Sequence, residues 1–318
     1  MRNLSYSLCL ILSSILFSLV SPGWLGVWVG LEMNMFGALV FMVNNKKKTA
    51  TSGFKYFFIQ AFGSSVVMMS IVSGSWVAND AIVSGLICGM SIKVGAVPFH
   101  FWVVEVLDGM RPGCMWFVLT VQKLVPFCCI CQSFHAGWLL FFLSGGSALV
   151  GSICGVGSTR VSRFVGYSSV AHTGWTLASC CGGLLVLAYY LLAYWISLGG
   201  FLWLMGGDGY LYSAGGGKAR RAPCSMGVTT WLLSLGGFPP FPGFCTKFVV
   251  FMHVLDWSLT LAFVLVISSV ISWAYYLFVS SISIVRGGQS AKPDGSDNSM
   301  FIPLLLMFPF IDYMSVLY

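Results

Sequence analysis

Four ionisable residues stand inside stretches otherwise too apolar to hold them: Glu32, Lys93, Lys123 and Lys247. Each costs about 2.5–3.5 kcal/mol to place near the middle of a bilayer, so the four together cost on the order of 10–14 kcal/mol. That is comparable to the net stability of a whole domain, and a burden of that size points to use. A medium of low dielectric disfavours the charged form of a lysine and of a carboxylate alike, which brings such groups toward exchanging protons. The chemistry implied is a proton relay. The competing role for a lysine is to snorkel to an interface, which suits Lys247, near the end of its apolar stretch, better than Lys123 in mid-stretch. The competing role for Glu32 is a structural partner to a lysine, and that is compatible with a relay.

Prolines accompany the lysines. Lys93 precedes Pro98, Lys123 precedes Pro126, and Lys247 follows Pro239, Pro240 and Pro242. A proline removes a backbone donor and frees a carbonyl, which inside a membrane is tolerated where backbone meets protein or a watery cavity. Charge beside a broken helix reads as an ion path. A fifth candidate, His172, lies among hydroxyls in YSSVAHTGW (167–175), with a neutral histidine packed between helices as the alternative. His100 and His135 are expected at interfaces and His253 at a helix end.

The elements that must position these groups follow from composition. The 318 residues are 58% hydrophobic and 8% charged, against about 25% charged in soluble domains, and the mean hydropathy is +0.89. This excludes a water-soluble fold and leaves an all-α integral membrane protein. Apolar spans long enough to cross a bilayer fall at 4–20, 24–43, 54–78, 81–100, 112–132, 137–157, 164–182, 183–205, 226–252, 257–285 and 300–317, about eleven transmembrane helices. The last is interrupted by Pro303, Pro309 and Asp312.

The loops test this map. Arg2, Lys46, Lys47, Lys48, Lys55, Arg111, Arg160, Arg163, Lys218, Arg220, Arg221, Arg286 and Lys292 all fall on the side of the N-terminus, whereas the opposite loops carry only Asp80 and Asp256. The positive-inside rule makes the basic side cytoplasmic or matrix, with the C-terminus opposite. The first span lacks a small-residue cleavage site and reads as an uncleaved helix. Among the 11 cysteines, only Cys128, Cys129 and Cys131 cluster, without a partner pair or a histidine at ligand spacing, so neither a metal site nor a disulfide framework is expected. GSICGVGS (151–158) lacks the strand that a nucleotide loop needs, and its small residues suit close helix approach. No haem, iron–sulfur or flavin site, and no nucleic-acid partner, is expected.

The two most disrupted spans are the fourth, with KVGAVPFHFW (93–102), and the ninth, with SLGGFPPFPGFCTK (234–247). They stand five helices apart, so they point in opposite directions, as discontinuous helices do in inverted repeats. The expectation is one membrane domain over 1–318, built from two five-helix units at about 4–132 and 137–285 with an extra C-terminal helix at 300–317.

GLEMNMF (30–36), KYFFIQAFGS (55–64), KVGAVPFHFWVVEVLDG (93–109), QKLVP (122–126), YSSVAHTGW (167–175) and LSLGGFPPFPGFCTK (233–247), in this order, resemble the NADH dehydrogenase subunit 2 family of mitochondrial complex I, which is similar to cation/proton antiporter subunits. The resemblance implies a proton-translocating subunit of NADH:ubiquinone oxidoreductase in the mitochondrial inner membrane, with its N-terminus and basic loops in the matrix and its C-terminus toward the intermembrane space. Its partners are then membrane-arm and accessory subunits, lipids and protons. It implies no cofactor in this chain, while the complex as a whole uses FMN, iron–sulfur clusters, NADH and ubiquinone. By the same resemblance Glu32 and Lys93 form a charge pair coupled to conformational change, Lys123 is the central relay lysine, and Lys247 leads to the outer exit. The chain departs from the family in having Val103 and Val104 where WVPE is usual, and in a short C-terminus. The alternative reading is a stand-alone monovalent cation/proton antiporter.

Overall fold

The computed structural model describes residues 2–43, 47–73, 79–132, 137–205 and 225–290. The expected span at 300–317 and the polar stretches at 206–224 and 291–299 lie outside the described residues, as does His135. The described residues form no strand. That is what hydrocarbon demands, because a helix satisfies its backbone polar groups within one segment. Serine and threonine hydroxyls follow the same rule: Ser14, Ser168, Ser169, Thr173, Thr176 and Ser179 each donate to a carbonyl one turn back on their own helix.

Helix α1 (Arg2–Val20) and α2 (Trp24–Val43) form an antiparallel pair separated by Pro22, and α3 (Lys47–Ser73) packs on α2. The third span begins earlier than expected, at Lys47 rather than 54, because a helix can continue past the apolar stretch into polar surroundings. The fourth span is broken into α4 (Asn79–Val94) and α5 (Phe101–Leu107). Val103 and Val104 lie buried within α5, so the segment in which the family carries a proline continues here as helix.

The fifth span, where Pro126 stands beside Lys123, is also interrupted. It consists of α6 (Pro112–Leu119), which has a proline in its first turn, and α7 (Val121–Gln132). Thr120 departs from helical geometry at φ −115°, ψ −77°, and the Lys123 N–H donates to the Thr120 carbonyl three residues back. Then come α8 (Gly137–Gly155) and α9 (Val161–Ser179), a 3-10 turn at Cys180–Gly182, and α10 (Gly183–Met205), the direction changing at Gly183 with φ +79°. The ninth span is broken into α11 (Ser225–Gly236) and α12 (Pro242–Trp257), and α13 (Leu259–Ser290) follows.

Helices α8 and α9 pack closely because glycines leave room. A Cβ on Gly151 would collide with the Ala171 backbone nitrogen, and one on Gly174 would stand 2.5 Å from that of Ala148. Large apolar side chains such as Leu16, Phe58, Phe62, Met69, Leu185, Trp203 and Phe263 point outward. An apolar exterior of this kind suits a lipid environment. Six described segments are long and apolar enough to cross a membrane; the one at Val161–Met205 holds both α9 and α10.

Candidate functional site

The two broken spans end their first halves alike. At α4, the Gly95 N–H reaches the carbonyls of Ser91 and Ile92, and the Ala96 N–H reaches Ser91. At α11, the Gly237 N–H reaches Leu233 and Ser234, and the Phe238 N–H reaches Leu233. Both glycines are left-handed, φ +78° at Gly95 and φ +76° at Gly237, and in each case a cis proline follows three residues later, Pro98 and Pro240. This is the glycine helix stop, which satisfies carbonyls that the broken helix leaves open.

A lysine serves the end of each half-helix. Lys93 is in the last turn of α4 and is 4% exposed. Lys247 comes from α12 but reaches back, and its Nζ donates to the Gly236 carbonyl at the end of α11, 2.7 Å away. Both cations thus stand at the negative end of a helix dipole, the placement that stabilises them most. Trp273 Nε1 donates to the same Gly236 carbonyl at 2.9 Å, and Lys247 lies 5.6 Å from the Trp175 ring centroid. Lys247 therefore does not snorkel outward.

Lys123 is 3% exposed and its Nζ meets no hydrogen-bond acceptor. A buried polar group without a partner is costly and uncommon in native proteins. It faces a crevice of about 180 Å³, too thin to admit water, lined by Leu119, Phe127, Ser169, His172, Thr173, Thr176, Leu191 and Tyr194. A second crevice of about 230 Å³, with room for about one water, includes His172, Tyr190, Tyr194, Ser197, Ser234, Thr246 and Lys247. His172 and Tyr194 line both. His172 Nδ1 shares a 2.8 Å hydrogen bond with the Tyr190 hydroxyl, and its Nε2 lies 3.5 Å from the Tyr276 hydroxyl. The histidine interacts electrostatically with both Lys247 and Lys123. Three of the five candidates are therefore brought together, with His172 between the two lysines.

Glu32 and Lys93 make a second group. They are within electrostatic reach; the described ion pairs lie elsewhere, among them Lys55–Glu105 and Asp108 with Arg160 and Arg163. Two amides and a phenol near this group and Lys123 form one hydrogen-bonded chain, and a further amide holds the Lys93 backbone. Gln60 Nε2 donates to the Lys93 carbonyl at 3.0 Å, the Tyr56 hydroxyl donates to Gln122 Oε1 at 3.0 Å, and Gln122 Nε2 donates to Asn34 Oδ1 at 3.2 Å. Asn34 is two residues from Glu32, and Gln122 adjoins Lys123. Sequence reasoning based on charge missed these amides, although an uncharged amide in an apolar span is costly for the same reason.

His100, expected at an interface, is 6% exposed in the break between α4 and α5, because the fourth span stops at Val94 instead of running to residue 100. His253 is near the end of α12 as expected. On the side of the chain's basic residues, a charged mouth of about 700 Å³ opens between Lys55, Glu105, Asp108, Arg163 and Tyr167.

Residues 21–272 match a family described as NADH:quinone oxidoreductase/Mrp antiporter, transmembrane. NADH-ubiquinone oxidoreductase chain 2 of Branchiostoma lanceolatum is 32% identical over 88% of this chain and 85% of its own length. The protein of that name from Mammuthus primigenius is 30% identical over 95% and 94%. Among solved structures, a chain of respiratory complex I from Thermus thermophilus with bound aureothin has a TM-score of 0.78 at 19% identity, over 91% of this chain and 77% of that one. A chain of the Mrp complex from Dietzia has a TM-score of 0.73 at 17% identity, over 85% and 58%.

Proposed function

The chain belongs to the NADH:quinone oxidoreductase/Mrp antiporter transmembrane family, and from that premise we propose that it is the antiporter-like, proton-translocating subunit 2 of respiratory NADH:ubiquinone oxidoreductase. The observation that carries the mechanism is His172 lining both crevices between the unpartnered Lys123 and the helix-end Lys247. Protons enter through the charged mouth on the basic side, pass to Lys123, cross His172 and reach Lys247, which leads to the opposite face. Glu32 and Lys93 form the coupling pair. Its changes of charge act on Lys123 across the polar surroundings that include the Asn34 and Gln122 amides and the Tyr56 hydroxyl, so that electron transfer elsewhere in the complex alters the relay. This chain binds no redox cofactor; NADH, FMN, iron–sulfur clusters and ubiquinone belong to the rest of the complex.

The twin glycine stops at Gly95 and Gly237 support two inverted five-helix units, about 4–132 and 137–285, within one eleven-helix membrane domain. The basic loops support a matrix-side N-terminus in the mitochondrial inner membrane, with other membrane-arm and accessory subunits and lipids around it. The second reading is a stand-alone monovalent cation/proton antiporter, favoured by the likeness to the Mrp complex chain. A native gel of mildly solubilised membranes, stained for NADH dehydrogenase activity, with mass spectrometry locating the chain, separates the two. Migration in the large active band is the expected result, and migration alone at small size refutes it. In that band, Lys123→Met is expected to abolish pumping; pumping at the normal ratio of protons to NADH overturns the relay.

A further inference from the structure

Each broken span ends its first half at an indole. At α4, Trp102 Nε1 donates to the Ile92 carbonyl at 3.0 Å, and Gln60 Nε2 donates to the Lys93 carbonyl next to it at 3.0 Å. At α11, Trp273 Nε1 donates to the Gly236 carbonyl at 2.9 Å, an acceptor that the Lys247 ammonium also reaches, at 2.7 Å. Neither indole lies on the half-helix it serves, for Trp102 comes from α5 and Trp273 from α13. The Trp273 ring stacks on Phe238 in the break, with centroids 4.8 Å apart and planes 28° apart. The indole is therefore a donor held in place, whereas Lys247 reaches the same carbonyl on a flexible four-carbon stem.

We propose that Trp273 is a positioning residue for Lys247: it holds the Gly236 carbonyl whether or not the lysine does, and so lets the lysine leave for the crevice that His172 lines. This role rests on Lys247 belonging to the relay. A carbonyl oxygen has two lone pairs, so both donors fit at once. Without the indole, departure of the ammonium strands an acceptor at the negative end of a helix dipole, and an orphaned buried acceptor is costly. With the indole in place, departure gives up one of two hydrogen bonds and the half-helix end stays satisfied.

The surroundings give the ammonium somewhere to go. A Cβ on Gly237 would stand 2.8 Å from Lys247 Cδ and 3.2 Å from Cε, so the lysine stem lies against bare backbone. Beyond it the crevice has room for about one water, and it carries the Thr246 hydroxyl and those of Ser197 and Ser234, which are 3.0 Å apart. Lys123 already stands in the other condition, buried with its Nζ on no acceptor. The two lysines thus show a docked and an undocked arrangement, and the indole sets how readily Lys247 passes from one to the other.

The test uses the intact complex in sealed vesicles, with NADH oxidation by ferricyanide counting the assembled complexes. Trp273→Phe keeps a ring on Phe238 and removes the N–H, and Trp273→His returns an N–H to a ring. The expected result for Trp273→Phe is a kcat for quinone reduction about tenfold lower, the equivalent of one hydrogen bond, with KM for quinone and protons per NADH unchanged. Trp273→His is expected to recover most of that loss; where it fails to assemble, kcat and KM of Trp273→Phe decide. The proposal is overturned if Trp273→Phe turns over at the wild-type rate, if its KM rises or its protons per NADH fall, if the two variants lose rate equally, or if Trp273→Phe does not assemble, which makes the N–H a structural bond. Lys247→Met separates this outcome from the relay itself. Normal pumping by Lys247→Met removes the lysine from the relay, whereas a silent Lys247→Met beside a normal Trp273→Phe refutes the positioning role alone.

Discussion

Replacing Lys247 with methionine separates its chemical role from its structural one. The substitution removes the charge-assisted hydrogen bond to the Gly236 carbonyl, worth about 1.5–3 kcal/mol, and the approach to Trp175, worth about 0.5–2 kcal/mol. It also removes a cation from apolar surroundings, which returns about 2.5–3.5 kcal/mol. The terms oppose one another, so the net change in stability is on the order of 1 kcal/mol. The Gly236 carbonyl is not orphaned, because Trp273 Nε1 still donates to it at 2.9 Å. In the Lys247→Met background, Trp273→Phe strips that last donor and costs about 1–3 kcal/mol, against about 0.5–1.5 kcal/mol for Trp273→Phe alone. A double-mutant cycle therefore returns a coupling on the order of 1 kcal/mol. Variant complexes are heated and scored for assembly by native gel, and protons pumped per NADH are measured in sealed vesicles. The expected result for Lys247→Met is an assembled complex that does not pump. If the single substitution melts the complex as early as the double one, the shared-carbonyl geometry is refuted. If pumping per NADH is unchanged, Lys247 is not in the relay.

His172→Phe interrupts the contact between the crevices and leaves the Tyr190 hydroxyl without its 2.8 Å partner; pumping is expected to fall sharply in vesicle assays, with a stability loss of about 1–3 kcal/mol. Gly243→Ala drives a Cβ into the Ser234 carbonyl oxygen, so the complex is expected not to assemble, and a normal active band on a native gel would contradict the close approach of α11 and α12. Asp108→Asn weakens ion pairs to Arg160 at 3.0 Å and Arg163 at 4.0 Å, but these are partly exposed. The expected cost is about 1 kcal/mol or less, shrinking as salt is raised, and melting temperatures at two ionic strengths check it.

Much of the described architecture was legible in the sequence because a bilayer imposes a length and a polarity on every helix. Ten of the eleven expected spans overlap described helices, though the third begins earlier, the fourth stops at Val94 and α5 lies beyond it, and the breaks in the fourth and ninth spans were announced by Pro98 and the run Pro239, Pro240 and Pro242. Pro126 announced a disturbance in the fifth span but not its place, for the interruption falls six residues earlier, at Thr120. It sits where tertiary contacts act on the helix: Trp116 Nε1, one turn earlier, donates to the Trp195 carbonyl of α10. Charge identified Lys123 and Lys247, whereas their link through His172 and Tyr194 depends on how α7, α9, α10 and α12 converge, which spacing along one chain does not encode. The match between Lys93 and Lys247 was hidden for a related reason. One lies before its break and the other after, and only the reach of the Lys247 side chain brings both to the end of a half-helix.

The thinness of the two crevices has an electrical meaning. A membrane at 100 mV drives each elementary charge with about 2.3 kcal/mol, so a continuous column of water from one face to the other would short-circuit the gradient it serves. Between Lys123 and Lys247 there is space for about one water, and two aromatic side chains, His172 and Tyr194, fill the junction. On the proposed relay, this stretch of the protein is insulation with His172 and Tyr194 as the switch contact set into it. A smaller residue at Tyr194 would act as a worn patch in that insulation, turning a pump into a leak while every lysine remained in place.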